Sequence, residues 1–203
     1  MKKNSILIIG NSPKILNNKF GIEINKFSDV ARINNYRINN YQSYIGSKTT
    51  IWINGANKHI KKPTNIPKDV IIFIPHYLLR DKYDRIIQRT PKRLKLDPQK
   101  FSIINKEKIK NYERISGVNR PSTGLYAILW SLENYKTVII HGFNFFEDSN
   151  NHYFDSKIKK MINNFLFKQK YNNDKYHDFK AEKLYVNTLV KDKKIITLTD
   201  YLK

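Results

Sequence analysis

Arg120-Pro121-Ser122-Thr123-Gly124 sets two hydroxyls and a glycine directly ahead of the apolar stripe Leu125, Ile128, Leu129 and Leu132. A stripe at that spacing predicts a helix over Thr123 to Leu132, starting at the hydroxyls. The first N–H groups of a helix have no partner inside it and stand at the positive end of its dipole, so this start can hold a carboxylate. The same Ser-Thr pair would serve equally as an ordinary N-cap. Two histidine clusters follow, His152-Tyr153-Phe154-Asp155 and His177-Asp178-Phe179-Lys180-Ala181-Glu182. His177 is expected in the first turn of a helix, where the dipole disfavours the imidazolium and keeps the ring neutral near pH 7, as a general base requires. A histidine taken alone more often caps an element or sits on the surface; the paired placement is what singles out His152 and His177. Glu182, five residues beyond His177, falls off its helical face and is expected to orient local structure. His59, His76 and His141 are read as structural.

The elements that must position these groups alternate between strand and helix. Ser5 to Ile9, Val30 to Ile33, Thr50 to Ile53, Val70 to Ile74, Thr137 to Ile140 and Ile195 to Leu198 read as strands. Several of these runs are apolar on both faces, which implies a covered, mostly parallel sheet. Leu78 to Gln88, Lys157 to Phe167 and His177 to Val190 read as further helices, giving an α/β chain with right-handed crossovers. Arg89 to Lys100, with Pro91 and Pro98 among many charges, reads as an exposed loop or insertion. Neither an internal repeat nor a domain linker is visible, so one Rossmann-like domain spanning residues 1–203 is expected. In such a sheet ligands bind beyond the carboxyl ends of the strands, where Gly10-Asn11-Ser12 and Asn34-Asn35 fall. Glycine there lets backbone amides approach a phosphate or ribose, and Asn and Ser offer neutral hydrogen bonds to a nucleotide; a turn that merely caps a helix explains Gly-Asn-Ser as well. The chain has no G-x-G-x-x-G fingerprint and no G-x-x-x-x-G-K-[ST] loop, which removes most support for dinucleotide and P-loop readings.

Composition bounds the rest. At 203 residues and 40% hydrophobic content, the chain can bury one core and is too short for two full domains. It has no cysteine, so a disulfide framework and a thiolate-held metal are excluded. No apolar run approaches the roughly 20 residues that span a bilayer, and Met1-Lys2-Lys3-Asn4 enters a strand-like segment rather than a signal sequence. A soluble, cytosolic protein is expected. Lys and Arg number 38 against 17 Asp and Glu, a formal net charge of +21 that favours anionic partners. A general compositional bias would also inflate lysine, leaving Lys106, Lys108 and Lys110, or Lys191, Lys193 and Lys194, as solvated faces. The functional reading of the excess charge is contact with a membrane surface or glycolipid.

The order of segments resembles one enzyme family, the eukaryotic-type sialyltransferases of glycosyltransferase family 29. Gly10-Asn11-Ser12, Phe27-Ser28-Asp29-Val30 leading into Arg32-Ile33-Asn34, and Ile45-Gly46-Ser47-Lys48-Thr49-Thr50 resemble its long motif. Arg120 to Gly124 through Gly142-Phe143 resembles the short motif, His152 to Asp155 the third, and His177 with Glu182 the very short one. Trp52-Ile53-Asn54 is equally similar to the bacterial lipo-oligosaccharide sialyltransferases. The resemblance implies a GT-A-variant fold and inverting transfer of sialic acid from CMP-sialic acid to a hydroxyl of an acceptor glycan, a glycolipid among the candidates. It gives His177 the role of base and places His152 to hydrogen-bond or protonate the departing CMP, with Tyr153 helping. Asn11, Asn34 and Asn54 would bond the cytidine ribose and phosphate together with Gly10 and Ser12, and Arg120, Ser122, Thr123 and Gly124 complete the donor site. No Asp-x-Asp occurs, and one phosphate can be stabilised by protein hydrogen bonds, so no metal is expected and the donor is the only small molecule required. Where family members join the long and short motifs by a disulfide, this chain has Ile6 and Tyr135, and its length implies trimmed acceptor loops. Transfer of another CMP-activated acid such as a Kdo-like sugar would keep almost all these residues. A catalytically dead sialic-acid binder and a basic nucleic-acid-binding protein are the non-enzymatic alternatives. The second would use the 13 Tyr and 11 Phe as stacking platforms, but no RNA- or DNA-binding signature is present.

Overall fold

Strands that are apolar on both faces end up covered on both faces. In the computed structural model, which describes residues 1–144, 152–156 and 178–203, these residues form a seven-stranded sheet. Its strands are β1 (Lys3–Ile9), β2 (Asp29–Ile33), β3 (Ile51–Asn54), β4 (Asp69–Ile72), β5 (Ser102–Ile103), β6 (Tyr135–His141) and β7 (Ile196–Thr197). The order is β5-β4-β3-β2-β1-β6-β7 and every pairing is parallel. Central β1 shows how the pattern works: Ile6 and Ile8 enter one core cluster, Leu7 and Ile9 the other on the opposite face. Each of these side chains stabilises the fold by about 2 kcal/mol through burial.

The helices are α1 (Gly21–Lys26), α2 (Gln42–Ile45), α3 (His76–Asp81), α4 (Tyr83–Leu94), α5 (Lys106–Ser116), α6 (Thr123–Asn134), α7 (Phe179–Lys191) and α8 (Leu198–Tyr201). No helix among the described residues is long and apolar enough to cross a membrane. The segment expected as one helix over Leu78 to Gln88 followed by a loop is instead two helices, broken at Lys82, and the second runs through Pro91. A proline is tolerated there because it sits in the final turn: it forfeits the bond to the carbonyl of Ile87, a residue still 39% exposed, while Thr90 and Leu94 are buried beneath it. The predicted final strand shortens to β7, and Leu198 begins α8 with Thr197 as its N-cap. The predicted helix Lys157 to Phe167 lies outside the described residues. Ile6 and Tyr135 are both buried but not opposite each other, since Ile6 faces Val138 and Tyr135 faces Lys3 across the β1–β6 ladder.

Arg32, the one charged side chain on β2 that points into the interior, is 1% exposed and has no carboxylate partner among the described residues. Its Nη2 donates to the carbonyls of Ile45 (2.7 Å), Gly46 (3.0 Å) and Lys48 (3.1 Å), and its Nε to Thr49 Oγ1 (2.8 Å). The guanidinium thus serves the orphan carbonyls at the end of α2 and fixes the Gly46 to Thr49 loop. Burial pushes its pKa down to about 10, still charged at neutral pH. Arg32→Met should strand those carbonyls and lower the free energy of urea unfolding by about 3 kcal/mol; an unchanged midpoint would show that the loop holds itself.

Candidate active site

Strand order reverses between β1 and β6, and the loops leaving these two strands must part there to make a crevice. They are joined before they part: the Gly10 N–H donates to the His141 carbonyl (2.8 Å) and the Ser12 N–H to that of Gly142 (2.9 Å). A Cβ on Gly10 would lie 2.4 Å from Gly142 O, and Gly142 itself has φ +71 with Ile15 Cδ1 2.6 Å from where its Cβ would be. Only glycine fits at either position.

Beside this junction lies a half-open cleft lined by Gly10, Asn11, Ser12, Ile33, Asn34, Ser122, Thr123, Gly124, Gly142, Phe143, Asn144 and His152. Eight of the residues singled out in the sequence meet here: Gly10, Asn11, Ser12, Asn34, Ser122, Thr123, Gly124 and His152. Ile33, Gly142, Phe143 and Asn144 join them; the glycine and phenylalanine, named in the sequence within the short motif, directly follow β6. Asn11 Nδ2 is committed to the carbonyls of Ile33 and Asn35, both at 3.0 Å, tying the loop after β1 to that after β2. Asn34 turns the chain at φ 51, a left-handed conformation that asparagine tolerates, and its Oδ1 accepts from the Gly55 N–H. Ser12 caps a short 3₁₀ helix (Pro13–Asn17), accepting from the Lys14 N–H, so its hydroxyl is turned to the turn as well as the cleft wall.

Helix α6 precedes β6 and runs against it, which brings its N-terminus to the carboxyl edge of the sheet. Ser122 is its N-cap, accepting from the Leu125 N–H (3.3 Å). Thr123 and Gly124 line the cleft, and their N–H groups and the Thr123 hydroxyl have no partner among the described residues. The Ser122 hydroxyl is engaged differently. It donates to Glu182 Oε2 (2.7 Å), and the Ser122 N–H donates to Glu182 Oε1. Glu182 is 1% exposed on α7, and burial pushes its pKa up to about 7, partly offset by the two Ser122 bonds and reinforced by Asp178. It orients the start of α6 from behind the cleft, as expected of a structural residue.

Three residues expected at the donor site stand elsewhere. Asn54 is fully buried, its Oδ1 accepting from the Ala56 N–H. Tyr153 is 2% exposed: its hydroxyl donates to the Arg37 carbonyl (2.6 Å) and accepts from the Arg37 N–H (3.0 Å), which pins the 152–156 segment to the loop after β2 while His152 reaches the cleft. The Arg120 guanidinium lies over the Tyr77 ring at 5.7 Å, outside the lining. His177 lies outside the described residues; the helix expected to begin with it is described from Phe179, with Asp178 as N-cap. His141 is held neutral, its pKa pushed down by burial to about 4.

A parallel sheet with its cleft at the switch point defines an α/β protein of doubly wound, Rossmann-like architecture. The sequence profile of Glycosyltransferase family 29 (sialyltransferase) matches residues 4–194, and the chain belongs to that family. Over 87 residues it is 31% identical to Sialyltransferase-like protein 2 of Arabidopsis thaliana, a match covering 41% of this chain and only 20% of that protein. Its fold is similar to a mammalian sialyltransferase solved with Gal-beta-1-3GalNAc-ortho-nitrophenol, with TM-score 0.69, 20% identity, and coverage of 96% of this chain and 69% of that one. It is also similar to the sialyltransferase CstII from Campylobacter jejuni solved with CMP-3FNeuAc, with TM-score 0.56, 16% identity, and coverage of 98% and 82%.

Because the folded-state pKa of Glu182 is raised, its protonation favours the fold: this contribution is fully present below the ordinary carboxyl value and is lost as pH rises through about 7. Glu182→Gln keeps the acceptor for the Ser122 N–H without a titrating charge. Thermal melts should show the variant gaining on the native chain between pH 5 and pH 8; a pH-independent difference would mean Glu182 is ionised throughout.

Proposed function

We propose that this chain transfers sialic acid from CMP-sialic acid to a hydroxyl of an acceptor glycan, with inversion at the anomeric carbon. The observation that carries the proposal is the unpartnered pair of N–H groups at Thr123 and Gly124, opening a 12-residue helix into the switch-point cleft of a family 29 chain. Two peptide donors and the Thr123 hydroxyl, at the positive end of a helix, suit the carboxylate of a sialic acid. Ser122 is left to position them, since Glu182 takes its hydroxyl. Asn34 and the Gly10-Asn11 backbone face the opposite side of the cleft and supply the neutral bonds for the cytidine and its phosphate. The solved relatives bound to CMP-3FNeuAc and to a galactoside support the same donor and acceptor classes here.

In the reaction, His177 removes the proton of the acceptor hydroxyl as its oxygen bonds to the anomeric carbon. The bond from that carbon to the phosphate oxygen breaks, and CMP leaves with the electron pair. His152, at the cleft wall, hydrogen-bonds or protonates the departing phosphate. One phosphate with several peptide and imidazole donors has no need of the divalent cation that a diphosphate leaving group uses.

CMP release from CMP-sialic acid, followed chromatographically with galactoside acceptors, tests the reading. His177→Ala should lower kcat by roughly 10²–10⁴-fold with CMP affinity nearly unchanged, and native activity in that variant would contradict the assignment of the base. The rate should persist in excess chelator; loss that added Mg²⁺ restores would contradict metal independence. Absence of both turnover and a CMP-induced thermal shift would overturn the proposal.

A further inference from the structure

The Ser122 hydroxyl carries one hydrogen, and while Glu182 is ionised that hydrogen is committed. It is donated to Glu182 Oε2 (2.7 Å), Oε1 takes the Ser122 N–H, and Ser122 Oγ itself accepts from the Leu125 N–H (3.3 Å). A carboxylate offers only acceptor sites, so it holds both donors of Ser122 to itself, although Ser122 lines the cleft. Glu182 is 1% exposed and has no cation partner among the described residues. Its negative charge stands at the start of α6, directly behind Thr123 and Gly124.

The groups around Glu182 leave its charge to be decided at the cleft. Asp178, the N-cap of its own helix, adds a second negative charge, and Lys183 follows it along α7. Burial holds Tyr126 of α6 and Tyr185 of α7 neutral, and the Tyr126 hydroxyl donates to Glu113 of α5 (2.8 Å). Arg120, ahead of α6, lies over the Tyr77 ring. Burial lifts the Glu182 carboxyl to about 7, with the Ser122 bonds opposing the rise and Asp178 adding to it. Near neutral pH the carboxyl therefore stands between its two states.

We propose that Glu182 couples donor binding to a proton: a carboxylate seated at Thr123 and Gly124 draws a proton from solvent onto Glu182 behind them. The inference rests on the donor reading above. Two anions on adjoining residues of one helix start repel, and the buried one has little water to screen it. A proton bonded to Oε2 removes that repulsion. It also reverses a hydrogen bond: Oε1 still accepts from the Ser122 N–H, Oε2–H now donates to Ser122 Oγ, and the Ser122 hydroxyl is released to turn its own hydrogen into the cleft. The donor then gains a hydroxyl that the ionised carboxylate withheld. Glutamine at this position reproduces the acid form, since its carbonyl accepts the N–H and its amide donates to Oγ. Glu182 is in this sense a positioning residue, acting on the ligand through Ser122.

Calorimetric titration with CMP-3FNeuAc, the analogue bound in the CstII structure, tests the coupling. A like charge at this range strengthens proton binding by about tenfold, so the native Kd should weaken about tenfold between pH 6 and pH 9. Two buffers of different ionisation enthalpy at pH 7.5 should then reveal about half a proton taken up per analogue bound. Glu182→Gln should bind at every pH as the native chain does at pH 6, which makes the variant the tighter binder at pH 9 by about tenfold. Cytidine 5′-(methyl phosphate), a diester without the sugar carboxylate, should show neither effect, which separates Glu182 from any titration of His152. Carbon-13 NMR of the native side-chain carboxyls gives a second reading that does not depend on the variant folding. The carboxyl titrating near neutrality should shift its midpoint to higher pH with the analogue and keep it with the methyl diester. Equal pH dependence in native chain and Glu182→Gln, a midpoint unmoved by the analogue, or equal proton uptake with the two ligands would each overturn the coupling. No binding of the analogue at any pH would instead overturn the donor reading, and the coupling with it.

Discussion

The molecule depends on two backbones meeting where β1 and β6 end. Gly10 and Gly142 approach so closely that no Cβ fits between them, and the two bonds from Gly10 and Ser12 to the carbonyls of His141 and Gly142 continue the sheet one step past its strands. That extra step sets the floor of the cleft. With larger residues the loops would separate, Asn11 could no longer reach the carbonyls after β2, and α6 would lose the surface against which its first turn is presented. A close backbone approach of this kind is rigid because peptide groups cannot rotate away as side chains do.

A second constraint crosses the chain over 60 residues, from Glu182 to Ser122. A buried carboxylate is costly, and the raised pKa of Glu182 records that two hydrogen bonds do not fully offset its desolvation. The bond joins α7, the helix that follows His177 in sequence, to the helix start that opens onto the cleft. Where an N-cap serine ordinarily satisfies only its own helix, here it also donates to a carboxylate in the first turn of another. The site is consequently positioned by groups that do not line it: Glu182 behind α6, Arg32 beneath the loop after α2, and Tyr153 holding the 152–156 segment to Arg37.

Much of the fold was legible because burial on both faces leaves an unbroken apolar run, as at Ile6 to Ile9. The start of α6 was legible because a hydroxyl pair met a clear helical stripe. β5 escaped notice because two residues carry no period, and the second half of α4 reads as loop because Pro91 reads as a breaker, although in the final turn it removes a single bond. At the site, residues at strand ends were found by topology, since parallel strands aim their carboxyl ends at one crevice. Asn54 and Tyr153 belong to the same motifs yet face inward, a distinction that one step of strand alternation or one turn decides and composition does not. Ser122 was assigned to ligand, but a partner distant in sequence had already taken its hydroxyl. Glu182 was read as structural from helical spacing alone, and its contact with Ser122 supplies the reason.

The central claim is that a CMP-activated sugar acid binds at the switch-point cleft, and backbone amide shift mapping by NMR during titration with CMP tests it most directly. The account predicts saturable shifts concentrated at Gly10 to Ser12, Asn34, Thr123, Gly124 and Gly142 to Asn144, with the basic residues of α4 unmoved. Shifts confined to the basic residues of α4 and the loop after β3, or no saturable shift anywhere, would contradict it.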